Sequence, residues 1–518
     1  MTTTRRQFLR GATSGLGLLA AVSTLPRWMG SARAATLGGY SGSRVAVCVF
    51  LFGGSDSNNV LVPRTGAAHS QYLNARPTIG FTADQLLPIT PAGMTAGAYG
   101  VHPSLTKVRE HFEAGRAAFV CNVGPLVLPL NKARYTASAS VPESLFSHSD
   151  QQDAWATSLA NPGSSAVPPG FVATGWGGRT ADRLHPLNTS TPADYPEVTS
   201  FGGKPSFCVG LDRKPMMVAA DGTLAFRTYN DPPSDFDLLQ QAALQDVMTV
   251  QDGVALETSY ANVFSTAATF AAERTRRRDD AWSLLPQTTR DAITGFFTPP
   301  PEGATWQLHG QLFQVIRDLV AGALPSSKGG LGLKRQMFSV GFGSFDTHHD
   351  QDVDQPKLLA QLDFALDAFY KSVTLLESQT ALFGTNTPQA TLFTMSDFNR
   401  TFLENGDSGT DHAWGGHALV LGSRVAGRKL YGVYPSLDLA ASLDGSTDER
   451  GRWIPTVSVE QYGFTLAAWL GLNTSADRDY VFPNLAPYVA FASDPANAPT
   501  LPQAALAQKY RLAFMQVD

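Results

Sequence analysis

Charge is scarce in this 518-residue chain: Asp, Glu, Lys and Arg make up 16% of it, where about 25% is usual. The 39 basic and 44 acidic residues leave a formal net charge of -5. Nucleic-acid modules need a concentrated basic surface to displace counterions from phosphates, so no nucleic-acid partner is expected. Cysteine is scarcer still. Cys48, Cys121 and Cys208 allow at most one intramolecular bridge, which excludes a disulfide scaffold. Cys48 and Cys121 lie in the apolar runs VAVCVFLF and AAFVCNV, where cysteine behaves as a small hydrophobe, and no bridge is expected. Beyond the N-terminus no apolar run reaches the ~18 residues of a membrane-spanning helix, so no stable span is expected. Two catalytic signatures are also missing. There is no G-x-S-x-G elbow of an α/β-hydrolase, and no G-x-G-x-x-G follows the first apolar run, which disfavours a dinucleotide enzyme.

What is present is a large apolar fraction, 43% hydrophobic and 10% aromatic, enough for an extensive core. With 47 Gly and 33 Pro, the chain reads as a loop-rich globular protein. Its N-terminus carries Arg5 and Arg6, then Gln7, Phe8 and Leu9, a short Gly/Ala/Leu stretch, and Ala32, Arg33 and Ala34. A basic region, a moderate apolar core and an A-x-A site describe a signal peptide, and the paired arginines point to Tat export. Residues 1–34 are therefore expected to be removed. The Tat translocase would be a transient partner and the mature chain periplasmic or secreted. Residues 35–518 show no repeat and no low-complexity linker, and are read as one domain.

Along that domain strand-like and helix-like runs alternate. Strands are expected at residues 44–52, 117–123, 336–342, 390–395 and 417–421, and helices at 105–114, 236–250, 260–285, 307–323, 357–376 and 457–470. Residues 161–233, rich in Gly, Pro, Ser and Thr, read as surface loops. Alternation of this kind predicts an α/β fold with a mostly parallel central sheet covered by helices on both faces.

Working groups in such sheets sit on loops just past the carboxyl ends of the strands. Four polar windows fall there. FGGSDSNN places Asp56 after the first strand. SLFSHSDQQDAW presents Ser147 and His148 before a helix, either as a reactive pair or as a plain N-cap. SVGFGSFDTHHDQD packs Asp346, His348, His349, Asp350 and Asp352 into seven residues. TMSDFNRTFLENGDSGTDHAWGGH carries Asp397, Arg400, Asp411, His412 and His417. Five of the ten histidines lie in these windows. Carboxylates and imidazoles converging from strand ends suit Zn²⁺ or another divalent ion, because ligand atoms at ~2.0–2.2 Å must meet from one edge. Such an ion would polarise a phosphoryl-type oxygen or lower the pKa of a bound water or serine hydroxyl. Ser147 is the candidate attacking group. Arg179, in TGWGGR, and Arg400 are candidate forks for a tetrahedral anion, or else structural pairs.

The Tat signal together with FGGSDSNNVLVP, SHSDQQDAW, TGWGGR, FDTHHDQ, SDFNRT and DHAWGGHALVLG, in this order, resembles the bacterial family catalogued as domain of unknown function 1501. Through it the chain is similar to the alkaline phosphatase-like superfamily of phosphatases, phosphodiesterases and sulfatases. The resemblance implies that superfamily's α/β fold and a two-metal centre: Asp56 with Asp397 for one ion, and Asp346, His348 and His412 for the other. Ser147 would stand in the place of the nucleophile, with His148, Arg179 and Arg400 beside it. The sequence departs from the superfamily pattern at Phe398, where a ligating histidine is usual, and in the short spacing from Asp346 to His348, which leaves His348, His349 and Asp350 as alternatives. No Cys-x-Pro-x-Arg signature is present for formylglycine chemistry. The expectation is an exported hydrolase of phosphate or sulfate esters, small or polymeric, using one or two Zn, Mn or Mg ions. The alternative is a non-catalytic binding or assembly protein on a degenerate scaffold of the same kind.

Overall fold

The computed structural model describes residues 42–516 except 162–166, 169, 189–194, 203–204, 220–233, 237–238, 240–241, 244–254, 304, 441–449 and 502. The expected signal peptide lies outside the described residues, as does most of the expected helix at 236–250.

The first strand, β1 (Ser43–Leu51), is buried along its whole length, as its unbroken β-branched and aromatic run requires of a strand covered on both faces. Side chains alternate across a strand, and β1 divides accordingly. Val45, Val47, Val49 and Leu51 face one apolar layer, while Ala46, Cys48 and Phe50 face the other. Each such side chain stabilises the fold by roughly 1.5–3 kcal/mol relative to exposure.

Three short strands follow from the next stretch, β2 (Leu61–Pro63), β3 (Leu87–Ile89) and β4 (Tyr99–Val101). They form a separate antiparallel sheet in the order β2-β4-β3. Between β2 and β3 lies helix α1 (Gly66–Ala75), capped at its end by Arg76. Helix α2 (Thr106–Glu113) leads into the fully buried β5 (Ala117–Gly124). Next come α3 (His148–Thr157) and α4 (Trp176–Leu184), then the edge strands β6 (Val198–Phe201) and β7 (Met216–Val218). Helices α5 (Ala255–Ser283) and α6 (Leu308–Ala323) precede β8 (Arg335–Phe342), and α7 (Gln351–Ser378) precedes β9 (Pro388–Ser396). Strands β10 (Gly416–Gly422), β11 (Leu430–Gly432) and β12 (Val457–Ser458) and helix α8 (Val459–Leu470) follow.

The main sheet runs β11-β5-β10-β9-β1-β8-β6-β7, with β12 also pairing with β5. Its pairings are parallel except those of β10, which is antiparallel to both β5 and β9. One strand thus reverses a sheet that is otherwise parallel, and the α/β class is the observed one. Leu308, Leu312, Val315, Ile316 and Leu319 of α6, with Leu362, Leu366 and Phe369 of α7, cover one face. Tyr462, Leu466 and Trp469 of α8, with Trp176 of α4, cover the other. Ser458 and Gln461 close a reciprocal capping box at the start of α8, which satisfies two of the amides a helix start leaves orphaned.

The expected strands and helices fall close to these bounds, with three differences. Helix α7 starts six residues before the expected 357, running through Pro356. Pro356 is sixth in the helix and removes the donor to the Asp352 carbonyl, one bond among the many of a 28-residue helix. Residues 161–233, expected as loops, contain α4, β6 and β7. The expected strand at 417–421 is present, but reversed. No described helix is long and apolar enough to cross a membrane. The three cysteines are buried and free.

Candidate metal centre

Because the strands other than β10 run the same way, the loops leaving β1, β8 and β9 collect at one edge of the sheet. Asp56 follows β1, Asp346 follows β8 and Asp397 directly follows β9, while His412 stands just ahead of β10. The loop from β9 to β10 is folded on itself: Arg400 bridges to His412, and Thr401 N–H donates to the Asp411 carbonyl at 2.8 Å. His148 opens α3 and reaches the same edge. Gly53 lets the chain leave β1 at close quarters. Its φ is +111°, and a Cβ there would lie 2.5 Å from the Asp346 amide nitrogen, so only glycine fits.

Asp346 is the hub. Its Oδ1 lies 3.1 Å from His348 Nε2 and 3.3 Å from His412 Nε2, and its Oδ2 lies 3.5 Å from His148 Nε2. The Nε2 atoms of His348 and His412 are 3.0 Å apart. His148, Asp346 and His412 can each offer a ligand atom with all three atoms within 4.8 Å of one another. The Asp346 side chain is 45% exposed and that of His148 31%, so the cluster opens to solvent. Burial alone would raise the Asp346 carboxyl. The hydrogen bond and charge of Arg400, aided by the charges of His348 and His148, instead hold it below its ordinary value. Burial, then the charges of Arg400 and His148, push His412 down, against the opposing pull of the Phe146 carbonyl and Asp346. A neutral imidazole beside an ionised carboxylate is the state in which both bind a divalent ion, and this donor set fits one.

The other expected site residues separate into those drawn to this cluster and those used elsewhere. Asp397 is fully buried behind His148, its Oδ2 accepting from His148 Nδ1 at 2.6 Å, Gln152 Nε2 at 3.0 Å and the Gly53 amide at 3.2 Å. It supports a candidate ligand and does not stand among the ligand atoms. Asp56 is not at the cluster either. It is sealed in an ion pair with Arg76 at 2.5 Å, both side chains wholly buried, and also accepts from Gln351 Nε2 at 2.5 Å and its own loop's Asn58 amide at 3.1 Å. Sealed from solvent against Arg76, Asp56 is not among the ligand atoms that converge with Asp346.

Arg179 is a structural arginine. Its guanidinium is fully buried and donates to the carbonyls of Val481, Thr174 and Thr157, and burial pushes its pKa down to about 9. No edge remains for an anion. Arg400 is equally committed, donating to Asp346 Oδ1 at 2.6 Å and to the Thr410 carbonyl. It fixes the hub rather than a substrate. Ser147 caps α3 and donates its hydroxyl to Asp150. Of the three alternatives after Asp346, His348 turns inward, while His349 and Asp350 pair with each other on the surface. His417, from the same window, is half-buried and not among the converging groups, accepts the Asn122 amide at 3.2 Å, and is pushed down to about 4 by burial.

Asp411, from the fourth polar window, accepts from His348 Nδ1 at 3.2 Å and from Arg450. Two participants were not expected: Gln152, and the Phe146 carbonyl, which accepts from His412 Nδ1 at 2.8 Å. Gln152 closely follows a candidate ligand, and that adjacency was the available signal. A backbone carbonyl leaves none.

None of the curated proteins matches the chain. Among solved structures it is similar to the integral membrane protein lipooligosaccharide phosphoethanolamine transferase A from Neisseria meningitidis, at 8% identity and a TM-score of 0.27 over 90% of this chain. The chain spans 62% of the length of that structure. The family model described as "Protein of unknown function (DUF1501)" matches residues 330–447, the segment that carries Asp346, His348, Asp397, Arg400 and His412. Over that segment the chain is similar to the DUF1501 family.

Proposed function

We propose that this protein is an exported metal-dependent hydrolase of phosphate or sulfate esters, working from one divalent ion held by His148, Asp346 and His412. The observation that carries the reading is the convergence of those three groups on a solvent-open edge of the sheet. A bound ion would supply Lewis acidity toward an ester oxygen and acidify a hydroxyl beside it. The chain's own residues do the rest. Arg400 keeps the Asp346 carboxylate ionised and in place. Ser147, next in sequence to His148, is the candidate nucleophile, and Asp150 is placed to take its proton. The ester class comes from the family resemblance and the export route from the N-terminal arginines.

The test is a screen of aryl phosphate, phosphodiester and sulfate substrates with Zn²⁺, Mn²⁺ or Mg²⁺, run with Asp346→Ala and His412→Ala. Both variants are expected to lose metal and turnover together, and full activity in either one sinks the proposal.

A binding or assembly protein is the second reading. The Phe398 ring packs 4.8 Å from His148 and 4.6 Å from His412, and both candidate guanidinium forks are taken. A loaded metal with no turnover on any ester class would favour it.

A further inference from the structure

We infer that the centre is a single nitrogen-rich site for a late first-row divalent ion such as Zn²⁺, with His148, His348 and His412 all offering Nε2 beside Asp346. Asp397 acts through His148 as a positioning residue. The inference rests on the metal centre proposed above, adds His348 to its ligands and specifies its ion class; an ester oxygen would then enter as a fifth ligand.

Each ring has an acceptor on its far side. His148 Nδ1 meets Asp397 Oδ2 at 2.6 Å, His412 Nδ1 meets the Phe146 carbonyl at 2.8 Å, and His348 Nδ1 meets Asp411 Oδ1 at 3.2 Å. All three partners are oxygens that only accept, so each Nδ1 carries its proton. In a neutral imidazole the other nitrogen is then a bare lone pair. Two of these nitrogens, on His348 and His412, are 3.0 Å apart and lie 3.1 and 3.3 Å from Asp346 Oδ1, while the third, on His148, lies 3.5 Å from Asp346 Oδ2. Two lone pairs and a carboxylate oxygen gathered this closely are the donor set of a cation.

The spacing fits as well. Ligands at about 2.0–2.1 Å in a tetrahedron are about 3.3 Å apart, and the contacts between these atoms are 3.0, 3.1, 3.3 and 3.5 Å. His148 Nε2 is buried and has no hydrogen-bond partner among the described residues, an expensive state for a polar atom that is not a ligand. Behind it Asp397, with no exposure and three donors on one oxygen, is the carboxylate that fixes a ligating imidazole's tautomer and direction. Three nitrogens and one oxygen favour Zn²⁺ and its neighbours over Mg²⁺ or Ca²⁺, which take oxygen. Among the described residues, Asp56, the implied ligand of a second ion, is sealed against Arg76 instead.

The experiment tests the ligand set directly. Metal-free mature protein is titrated with Co²⁺, reading visible d–d absorption and bound metal by mass spectrometry, then challenged with Zn²⁺ and with excess Mg²⁺. One equivalent of Co²⁺ with the strong bands of a four-coordinate ion, displaced by Zn²⁺ and not by Mg²⁺, is expected. Asp397→Asn should weaken Co²⁺ binding about 10–100-fold, and Asp397→Glu should restore part of it. His348→Gln, at a partly exposed position that tolerates change, should alter the spectrum, while His349→Gln should not. Wild-type binding left unchanged by both Asp397→Asn and His348→Gln overturns the inference and leaves the proposed centre standing. Two equivalents, or displacement by Mg²⁺, also overturns it. No Co²⁺ or Zn²⁺ binding by the wild type removes the centre itself.

Discussion

Glu460 lies in the first turn of α8, inside the core that covers one face of the sheet. Its Oε1 accepts from Asn484 Nδ2 at 3.3 Å, and its Oε2 has no partner among the described residues. Burial pushes the carboxyl up from 4.5 to about 7, with hydrogen bonds from Ser458 and Asn484 recovering only part. The folded state therefore prefers the protonated acid. The stability this group contributes is complete below about pH 4.5 and is lost as the pH rises through about 7. At about 1.4 kcal/mol per pH unit, that span amounts to about 3 kcal/mol. Glu460→Gln keeps the shape and removes the titration. Urea unfolding of wild type and variant in chelator at pH 4, 6 and 8 measures the difference between them. That difference should move by about 3 kcal/mol in the variant's favour from pH 4 to pH 8, whatever offset the unpaired amide adds at every pH. An unchanging difference would refute the reasoning, because it would mean that Glu460 is solvated or paired in the folded protein.

Two further outcomes follow from the buried arginines. Arg76→Met leaves the Asp56 carboxylate buried without its counter-charge and should cost about 3–5 kcal/mol by urea unfolding, with bound metal unchanged; loss of metal instead would return Asp56 to the ligand set. Arg179→Lys cannot reach the carbonyls of Val481, Thr174 and Thr157 at once and should cost about 1.5–3 kcal/mol with an unaltered KM for any ester turned over. A raised KM at unchanged stability would make Arg179 an anion fork after all.

The central layers are legible in the sequence where apolar runs are long. VAVCVFL of β1 and the α6 spacing leave little room for another reading. The three-residue strands LVP, LPI and YGV of the small sheet are too short to show a period, and nothing in GHALVLG records that β10 points backwards. Helix α4 is hidden by its glycines. In WGGRTADRL they look like a loop, yet a Cβ on Gly177 would come within 2.6 Å of the Phe207 ring and one on Gly178 within 2.0 Å of the Val209 backbone. They are there for close packing. At the candidate site, Asp346, His348 and His412 stand out because carboxylate and imidazole crowd at strand ends. The placing of Asp56 apart from the cluster, and of Arg179 as a structural pair, has one cause: their partners, Arg76 and the carbonyls around Val481, come from elements whose position only the fold reveals.

The reversed strand β10 has a consequence for how this edge can change. Since β9 leaves the sheet and β10 re-enters it side by side at the same end, residues 397–415 begin and finish at neighbouring points and never cross a face. Their closure is that of a long hairpin, whose entropy rises slowly with length. Insertions or exchanges at its exposed tip, around Gly406 and Asp407, can therefore be accommodated while the buried Asp397, Arg400, Phe402 and Trp414 and the register of Val420 with Phe393 and Leu421 with Leu392 stay as they are. The fold has in this way set a changeable tip on a base that must stay constant.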